Sequence, residues 1–301
     1  MKRRSRTTVW GFLGLLIASG LVSAKAGNAA FPGRNGRIVF GVAEKLYAIR
    51  PDGTGRKLIT PGDFRGSDGA WSPNGRKIVF TGIAPKQGIY IANADGTHPV
   101  LVRASTSRVA YSQASWSPKG RRLVLTRETR TNGKQDVVTI AATGGSLKQL
   151  AHGAEPAWSP DGHLIAYGSS DGIWLVRSDG RGRRRVATAG SKMPAWSPDG
   201  STIVFARYLY DPLAGYKNSD LFTVRRDGSH LKRLTKNDLE DYAPQWSPDG
   251  RKIAFLSQRS VNAHGTDLVV MASGGSGRQA VVTGGQIDAA PNWQPVPRHS
   301  P

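Results

Sequence analysis

Five copies of one short phrase run along the chain: Trp71-Ser-Pro-Asn-Gly75, Trp116-Ser-Pro-Lys-Gly120, Trp158-Ser-Pro-Asp-Gly162, Trp196-Ser-Pro-Asp-Gly200 and Trp246-Ser-Pro-Asp-Gly250. Their tryptophans are 45, 42, 38 and 50 residues apart, and a worn sixth copy, Trp293-Gln-Pro295, follows after 47. A period near forty with strand and turn signals is the signature of a β-propeller blade. The phrase has a mechanical reading. A residue before Pro is held extended, Pro presets the first corner of a turn, and Asp or Asn followed by Gly completes it. Each phrase therefore ends one strand and opens a hairpin.

The returning strands are β-branched or aromatic: Lys77 to Phe80, Arg122 to Leu125, Leu164 to Tyr167, Thr202 to Phe205 and Lys252 to Phe255. They read as second strands buried on both faces. A third strand and a second turn follow in each unit, as at Leu46 to Arg50 with Asp52-Gly53, or Asp220 to Val224 with Asp227-Gly228. Fourth strands rich in Lys and Arg, such as Arg56 to Thr60 and Leu231 to Thr235, carry the composition of guarded edges. Four strands in each of six units predict an all-β, six-bladed β-propeller. The ends are complementary. Arg37 to Phe40 begins at a second strand, whereas Trp293 belongs to a first strand with no hairpin after it. The segment from Ala290 to Gln294 is thus expected to supply the innermost strand of the N-terminal blade and latch the ring. With 37 Gly and 18 Pro in 301 residues, the composition suits one turn-rich domain over 31–295 with little or no helix, followed by a tail at 296–301.

The first 26 residues differ in kind. Lys2, Arg3, Arg4 and Arg6 precede an apolar stretch from Val9 to Val22, and Ala24-Lys-Ala26 offers small residues for cleavage. This is the pattern of a secretory signal peptide, with an apolar run short for a membrane span. The expected location is periplasmic or secreted. The absence of cysteine excludes disulfides, thiol catalysis, thiolate metal sites and a lipoprotein anchor. Formal charge is +21, and removing residues 1–26 leaves 37 basic against 21 acidic residues, or +16. Outside the cytoplasm such a balance points to anionic polymers, lipid headgroups or acidic proteins rather than nucleic acid. It equally suits Lys and Arg that guard exposed edges and keep a monomeric ring soluble.

The repeated Trp-Ser-Pro-Asp-Gly phrase, the Ile-Ala-Phe-like strand after it and the later Asp-Gly turn resemble the TolB-type, WD40-like propeller family over residues 31 to 295. The resemblance covers the propeller part and not the α/β domain that precedes it in TolB. It implies a platform for protein or peptide contacts in the cell envelope. The same repeats also accompany peptidase and lyase domains.

In a four-stranded meander the first-to-second and third-to-fourth turns share one face, here the turn face. The second-to-third hairpins and the blade-to-blade connections share the other, the loop face. Asp52, Asp95, Asp161, Asp179, Asp199, Asp227 and Asp249 fall on the turn face and read as turn formers. The loop face varies, as binding surfaces on regular scaffolds do. Three of its hairpin loops are long, Glu128 to Lys134, Tyr208 to Ser219 and Gln258 to Gly265, and the middle one holds Tyr208, Tyr210 and Tyr216. Exposed amphipathic rings suit protein or sugar contact, or they pack on a neighbouring loop.

Ahead of the tryptophans stand Asp68, Gln113, Glu155, Asp241 with Tyr242, and Asp288, broken by Lys192 and Met193. Four such carboxylates could form an acidic ring at the channel mouth that holds Ca²⁺ or the basic end of a peptide, or they could cap backbone NH groups. No metalloprotease, serine-hydrolase, phosphate-loop or dinucleotide motif is present, and the six histidines are scattered. The expectation is a non-enzymatic binding propeller with Asp68, Glu155, Tyr208, Tyr210, Tyr216, Asp241, Tyr242 and Asp288 at its site. A carbohydrate or wall-polymer binder, a lyase-like enzyme using paired carboxylates, and a structural envelope component are the alternatives.

Overall fold

The computed structural model describes residues 30–297, apart from 212–214, 261–262 and 285; side chains are not described at 210, 211, 215–217, 259, 260, 263 and 264. The N-terminal segment 1–26, read as a signal peptide, lies outside the described residues. Every element among those described is a strand, and the strands form six antiparallel four-stranded sheets. Blades 2 to 6 are consecutive meanders over residues 65–104, 109–152, 154–187, 191–233 and 241–282. Blade 1 combines the two chain ends, ordered Ile287–Val296, Arg34–Val42, Lys45–Ile49 and Lys57–Leu58. The predicted six-bladed ring, latched by its C-terminal strand, is the observed one. Two fourth strands are shorter than expected, with only Lys57–Leu58 and Lys232–Arg233 on the ladder.

The repeated phrase closes its turn by side chain as well as by backbone. In blade 4 the Ser159 hydroxyl donates to Asp161 Oδ1 at 2.6 Å, the same oxygen accepts from His163 N at 3.0 Å, and Leu164 N donates to Ser159 Oγ at 2.9 Å. Ser197 with Asp199, Ser247 with Asp249 and Ser72 with Asn74 repeat the arrangement. The outer turns use a simpler device: Asp52, Asp95, Asp179 and Asp227 each accept a backbone NH two residues on, at 2.8 to 3.0 Å. All seven aspartates are turn formers.

The phrase also joins blades. Each of its glycines has positive φ, and a Cβ at Gly120, Gly162, Gly200 or Gly250 would stand 3.3 to 3.8 Å from the proline ring of the preceding blade's phrase. At the latch the spacing is tighter: a Cβ on Gly75 would lie 2.3 Å from the carbonyl of Pro295. Trp116 and Trp196 donate their indole NH across the same seams, to the carbonyls of Ala70 and Ala157 at 3.1 Å. The second strands run between these contacts with Ile78, Val124, Ile165, Val204 and Phe255 fully buried, as expected for strands covered on both sides.

Closure is polar as well as apolar. Asn292 Oδ1 accepts from Trp71 N at 2.9 Å and the Gln294 side chain donates to Gly75 O at 2.9 Å, so the C-terminal strand grips the first hairpin of blade 2. On the opposite side Gly33 N donates to Pro248 O at 3.2 Å and Asp249 N to Asn35 Oδ1 at 3.2 Å. Ahead of these, Ala30 N reaches Trp196 O at 3.3 Å in blade 5, while buried Phe31 joins the apolar cluster of Ala70, Tyr111, Ala114 and Trp116 in blades 2 and 3. Residues 30–31 thereby cross the turn-face end of the ring and tie opposite blades together.

Two outcomes follow from the turns. Gly162→Ala should cost about 1 kcal/mol, the penalty of placing an L-residue at positive φ, whereas Gly75→Ala should cost more because its Cβ meets backbone. Urea unfolding of the two variants tests that order. For Asp161, Asp199 and Asp249, burial raises the carboxyl pKa, but the serine hydroxyl and the backbone NH of the turn outweigh it and the net shift is downward. Their contribution to stability is present above the ordinary carboxylate value and lost as pH falls through the lowered folded value. A triple Asp→Asn variant, imitating Asn74 of blade 2, should lose less stability than wild type between about pH 5 and pH 3; parallel losses would show that these carboxylates are not linked to folding.

Candidate functional site

On the loop face each inner strand slips register with its neighbour just ahead of the tryptophan: between Ser67 and Ala70, Ser112 and Ser115, Ala154 and Ala157, Lys192 and Ala195, and Tyr242 and Gln245. The C-terminal strand does the same between Ala289 and Asn292. At five of the bulges the third residue before Trp is left-handed: Asp68, Gln113, Glu155, Met193 and Ala243 have φ of 52° to 58°. That conformation costs a non-glycine residue about 1–2 kcal/mol. Bulges re-aim side chains and release backbone groups from the ladder.

The released groups are satisfied by the neighbouring blade. Glu155 N donates to Gln113 Oε1 and to Thr126 Oγ1, both at 3.1 Å, and Thr126 Oγ1 donates to Gln113 Oε1 at 2.6 Å. Met193 N in turn donates to Glu155 Oε2 at 2.8 Å. A strap of bulge residues thus runs from blade 3 through blade 4 to blade 5. Sequence reasoning placed Asp68, Gln113 and Glu155 near the mouth and allowed for capping, but missed the bulges. The one available signal was that residue types change freely at this position while the phrase three residues later does not.

The predicted carboxylates serve different surroundings. Asp68 is buried, and its Oδ2 accepts from the Ser67 and Thr81 hydroxyls at 3.3 Å. Asp241 stands two residues further from its tryptophan than Asp68 and Glu155 do from theirs, and it is fully buried in blade 6. There it takes a bidentate pair from Arg278 at 2.7 and 3.0 Å, with Asn237 Nδ2 at 2.9 Å and Ser257 Oγ at 2.7 Å. Asp288 accepts from Glu44 N at 2.8 Å, and burial pushes its carboxyl up despite that bond. Among the described residues no three His, Asp or Glu side chains come together to hold a metal ion.

Beside Asp241 lies a second buried carboxylate that the sequence reading did not single out. Asp220 pairs with Arg233 and accepts from Thr235 Oγ1 at 3.2 Å. Burial, and to a smaller extent the charge of Asp241, raise its pKa against the pull of Arg233. Ser219 Oγ donates to Asp241 O at 3.1 Å, so the two blades are joined at this point.

The aromatic residues come closest to a shared site. Burial, followed by the charges of Glu155 and Glu240 and the nearby Tyr242 phenol, pushes Tyr208 up to about 12. Tyr242 is half-buried, shares its hydroxyl with Thr266 Oγ1 at 3.2 Å, and is likewise raised by burial. Glu155, Tyr208, Glu240 and Tyr242 therefore form one electrostatic neighbourhood across blades 4 to 6. Glu240 was absent from the sequence prediction. Tyr208 stands at the base of the longest hairpin, whose strands Thr202–Asp211 and Gly215–Arg225 have 10 and 11 residues against 6 and 6 in blade 4. Tyr210 and Tyr216 pair across it, and their side chains lie outside the described residues.

The TolB beta propeller domain family matches residues 39–193 and 188–299. The chain belongs to that family. A TolB homolog of Chlorobium luteolum is 27% identical over 139 residues, which is 44% of this chain and 30% of that protein. The chain thus aligns with less than a third of that relative's length. Among solved structures, TolB from Acinetobacter baumannii superposes with a TM-score of 0.70 at 19% identity, covering 86% of this chain and 67% of that one. An oligogalacturonate lyase from Vibrio parahaemolyticus gives a TM-score of 0.57 at 13% identity, with 85% and 78% covered. These two likenesses concern the fold.

The Asp241 contacts carry a prediction. Asp241→Ala strands Arg278, Asn237 and Ser257 without their buried acceptor and should destabilise the ring by about 1–3 kcal/mol, Arg278 being exposed enough to gain water. An Asp241→Leu/Arg278→Met pair should recover much of that loss, because replacing both charges removes the unpaired one. Thermal and urea unfolding of the two variants measure it.

Proposed function

We propose that this propeller is a non-catalytic binding platform that works outside the cytoplasm and receives a protein or peptide on its loop face. TolB-like propellers are protein-interaction modules of the bacterial envelope, and membership of that family supports this class of role. The observation that carries the site is the neighbourhood of Tyr208 and Tyr242 with Glu155 and Glu240, at the foot of the hairpin bearing Tyr210 and Tyr216. Phenols with raised pKa stay neutral and offer an apolar face with a polar tip. The flanking carboxylates add a negative field on an otherwise basic protein, which favours a partner segment carrying Lys or Arg. Asp68, Asp241 and Asp288 act in this reading as supports that hold the strands and the mouth in place. The basic start of the chain, its apolar stretch and Ala24-Lys-Ala26 support export.

The test is retention of a defined envelope protein by residues 27–301 at moderate salt. A Tyr210→Ala/Tyr216→Ala variant should weaken retention about tenfold or more, in line with aromatic anchors dominating interfaces, and Tyr208→Phe should weaken it less. Equal retention by wild type and the double variant would sink the assignment of this site.

A further inference from the structure

Charge is divided between the two faces of the ring. Of the 21 acidic residues only seven, the turn aspartates, stand on the turn face; the other 14 belong to the loops and strand ends of the opposite side. Each of the seven already accepts hydrogen bonds within its own turn. Lys and Arg crowd the same turns. Arg177, Arg181, Arg183 and Arg184 of blade 4 adjoin Arg225 and Arg226 of blade 5, and Arg184 donates to the carbonyl of Arg226 across the seam. Blade 3 adds Lys119, Arg121 and Lys148, with no acid in either of its two turns. At the seam of blades 4 and 5 a cleft of about 290 Å³ is lined by His163, Leu164, Arg177, Ser178, Asp179 and Arg226. Each of its two arginines has one solvent-exposed acidic partner, Asp179 at 3.7 Å from Arg177 and Asp161 at 3.2 Å from Arg226, and the surplus of positive charge around the cleft comes from Arg181, Arg183, Arg184 and Arg225.

Two independent features share this face. The exposed large hydrophobic residues among those described are Leu58, Val100 and Leu231, at 49%, 62% and 53% exposure. All three follow a third-to-fourth turn by a few residues and so stand on the turn-face rim. Ala30, the first described residue, is fastened to Trp196 O at this end of the ring.

We propose that the turn face docks on an anionic lipid surface. Lipid phosphates would occupy the cleft between Arg177, His163 and Arg226, further headgroups would meet Arg181 and Arg184, and Leu231, Val100 and Leu58 would enter the headgroup layer. A basic face whose rim also carries three exposed apolar side chains fits a lipid boundary better than a soluble polyanion, which has no apolar layer for them. The loop face is then turned away from the membrane. The proposal stands on residues separate from the loop-face site and does not rest on it.

Co-sedimentation tests this with the ring from residue 27 onward, which contains all the strands of the closed propeller. The vesicles are phosphatidylcholine alone, or the same lipid with about a quarter replaced by phosphatidylglycerol. Wild type should bind the anionic vesicles, release them as salt rises, and ignore the zwitterionic ones. Arg181→Glu/Arg184→Glu, both exposed, the first just ahead of the fourth strand of blade 4 and the second at its start, should weaken binding about tenfold or more. Arg108→Glu/Lys134→Glu makes the same change in net charge on the loop face and should stay within about twofold of wild type. Val100→Ser/Leu231→Ser should weaken vesicle binding without changing retention on soluble polyphosphate. Equal losses in the two charge variants would reduce the effect to net charge and overturn the proposal. So would binding to polyphosphate without binding to anionic vesicles, which would reassign the face to a polymer. A thermal melt of each variant confirms that the ring is folded.

Discussion

The contact on which the ring depends is the seating of each Ser-Pro-Asp-Gly turn on the proline of the turn before it. Gly120 on Pro73, Gly162 on Pro118, Gly200 on Pro160 and Gly250 on Pro198 make the same step, Gly75 meets the Pro295 carbonyl at the latch, and the sixth seam is bridged instead by Gly33 N on Pro248 O and Asp249 N on Asn35 Oδ1. A four-stranded blade cannot bury its own two faces, so it is stable only between neighbours. The last blade has no next neighbour unless the chain ends meet. The C-terminal strand supplies that meeting, pairing with Arg34–Val42 and bonding through Asn292 and Gln294 to blade 2.

Close packing on the turn face sets the terms for the loop face. Inner strands that are pinned at their tryptophans must fit a narrowing centre, and every one of them carries an extra residue there. The strain of left-handed Asp68, Gln113, Glu155, Met193 and Ala243 is offset where freed NH groups find the neighbouring blade's side chains, as Glu155 and Met193 do. Several polar residues at the mouth are therefore structural before they are functional. In the proposed reading, recognition falls to the half-buried tyrosines with Glu240, to the carboxylate of Glu155 that also serves the strap, and to the long hairpin of blade 5.

The two faces thus have different economies of charge. On the turn face acids are few and engaged by backbone, and basic residues accumulate around them. On the loop face buried acids take specific partners, Asp136 with Arg127 and His152, Asp220 with Arg233 and Asp241 with Arg278. A net charge quoted for the whole chain hides this separation, and with it the two directions in which the ring could make contacts.

Blade number, strand order, the latch and the work of the seven turn aspartates were all legible in the amino-acid sequence. The reason is range: Ser159, Asp161 and His163 interact within five residues, and a pattern that local repeats once per blade. The inner bulges were not legible, because no glycine marks the left-handed positions and their bonding partners lie in adjacent blades, such as Gln113 for Glu155, 42 residues away. Nor could the sequence say that Arg278 would consume Asp241, 37 residues before it, or that Phe31 would reach the core of blades 2 and 3. The first depends on how the four strands of blade 6 stack from its inner edge to its outer one, and the second on which blades become neighbours when the ring closes.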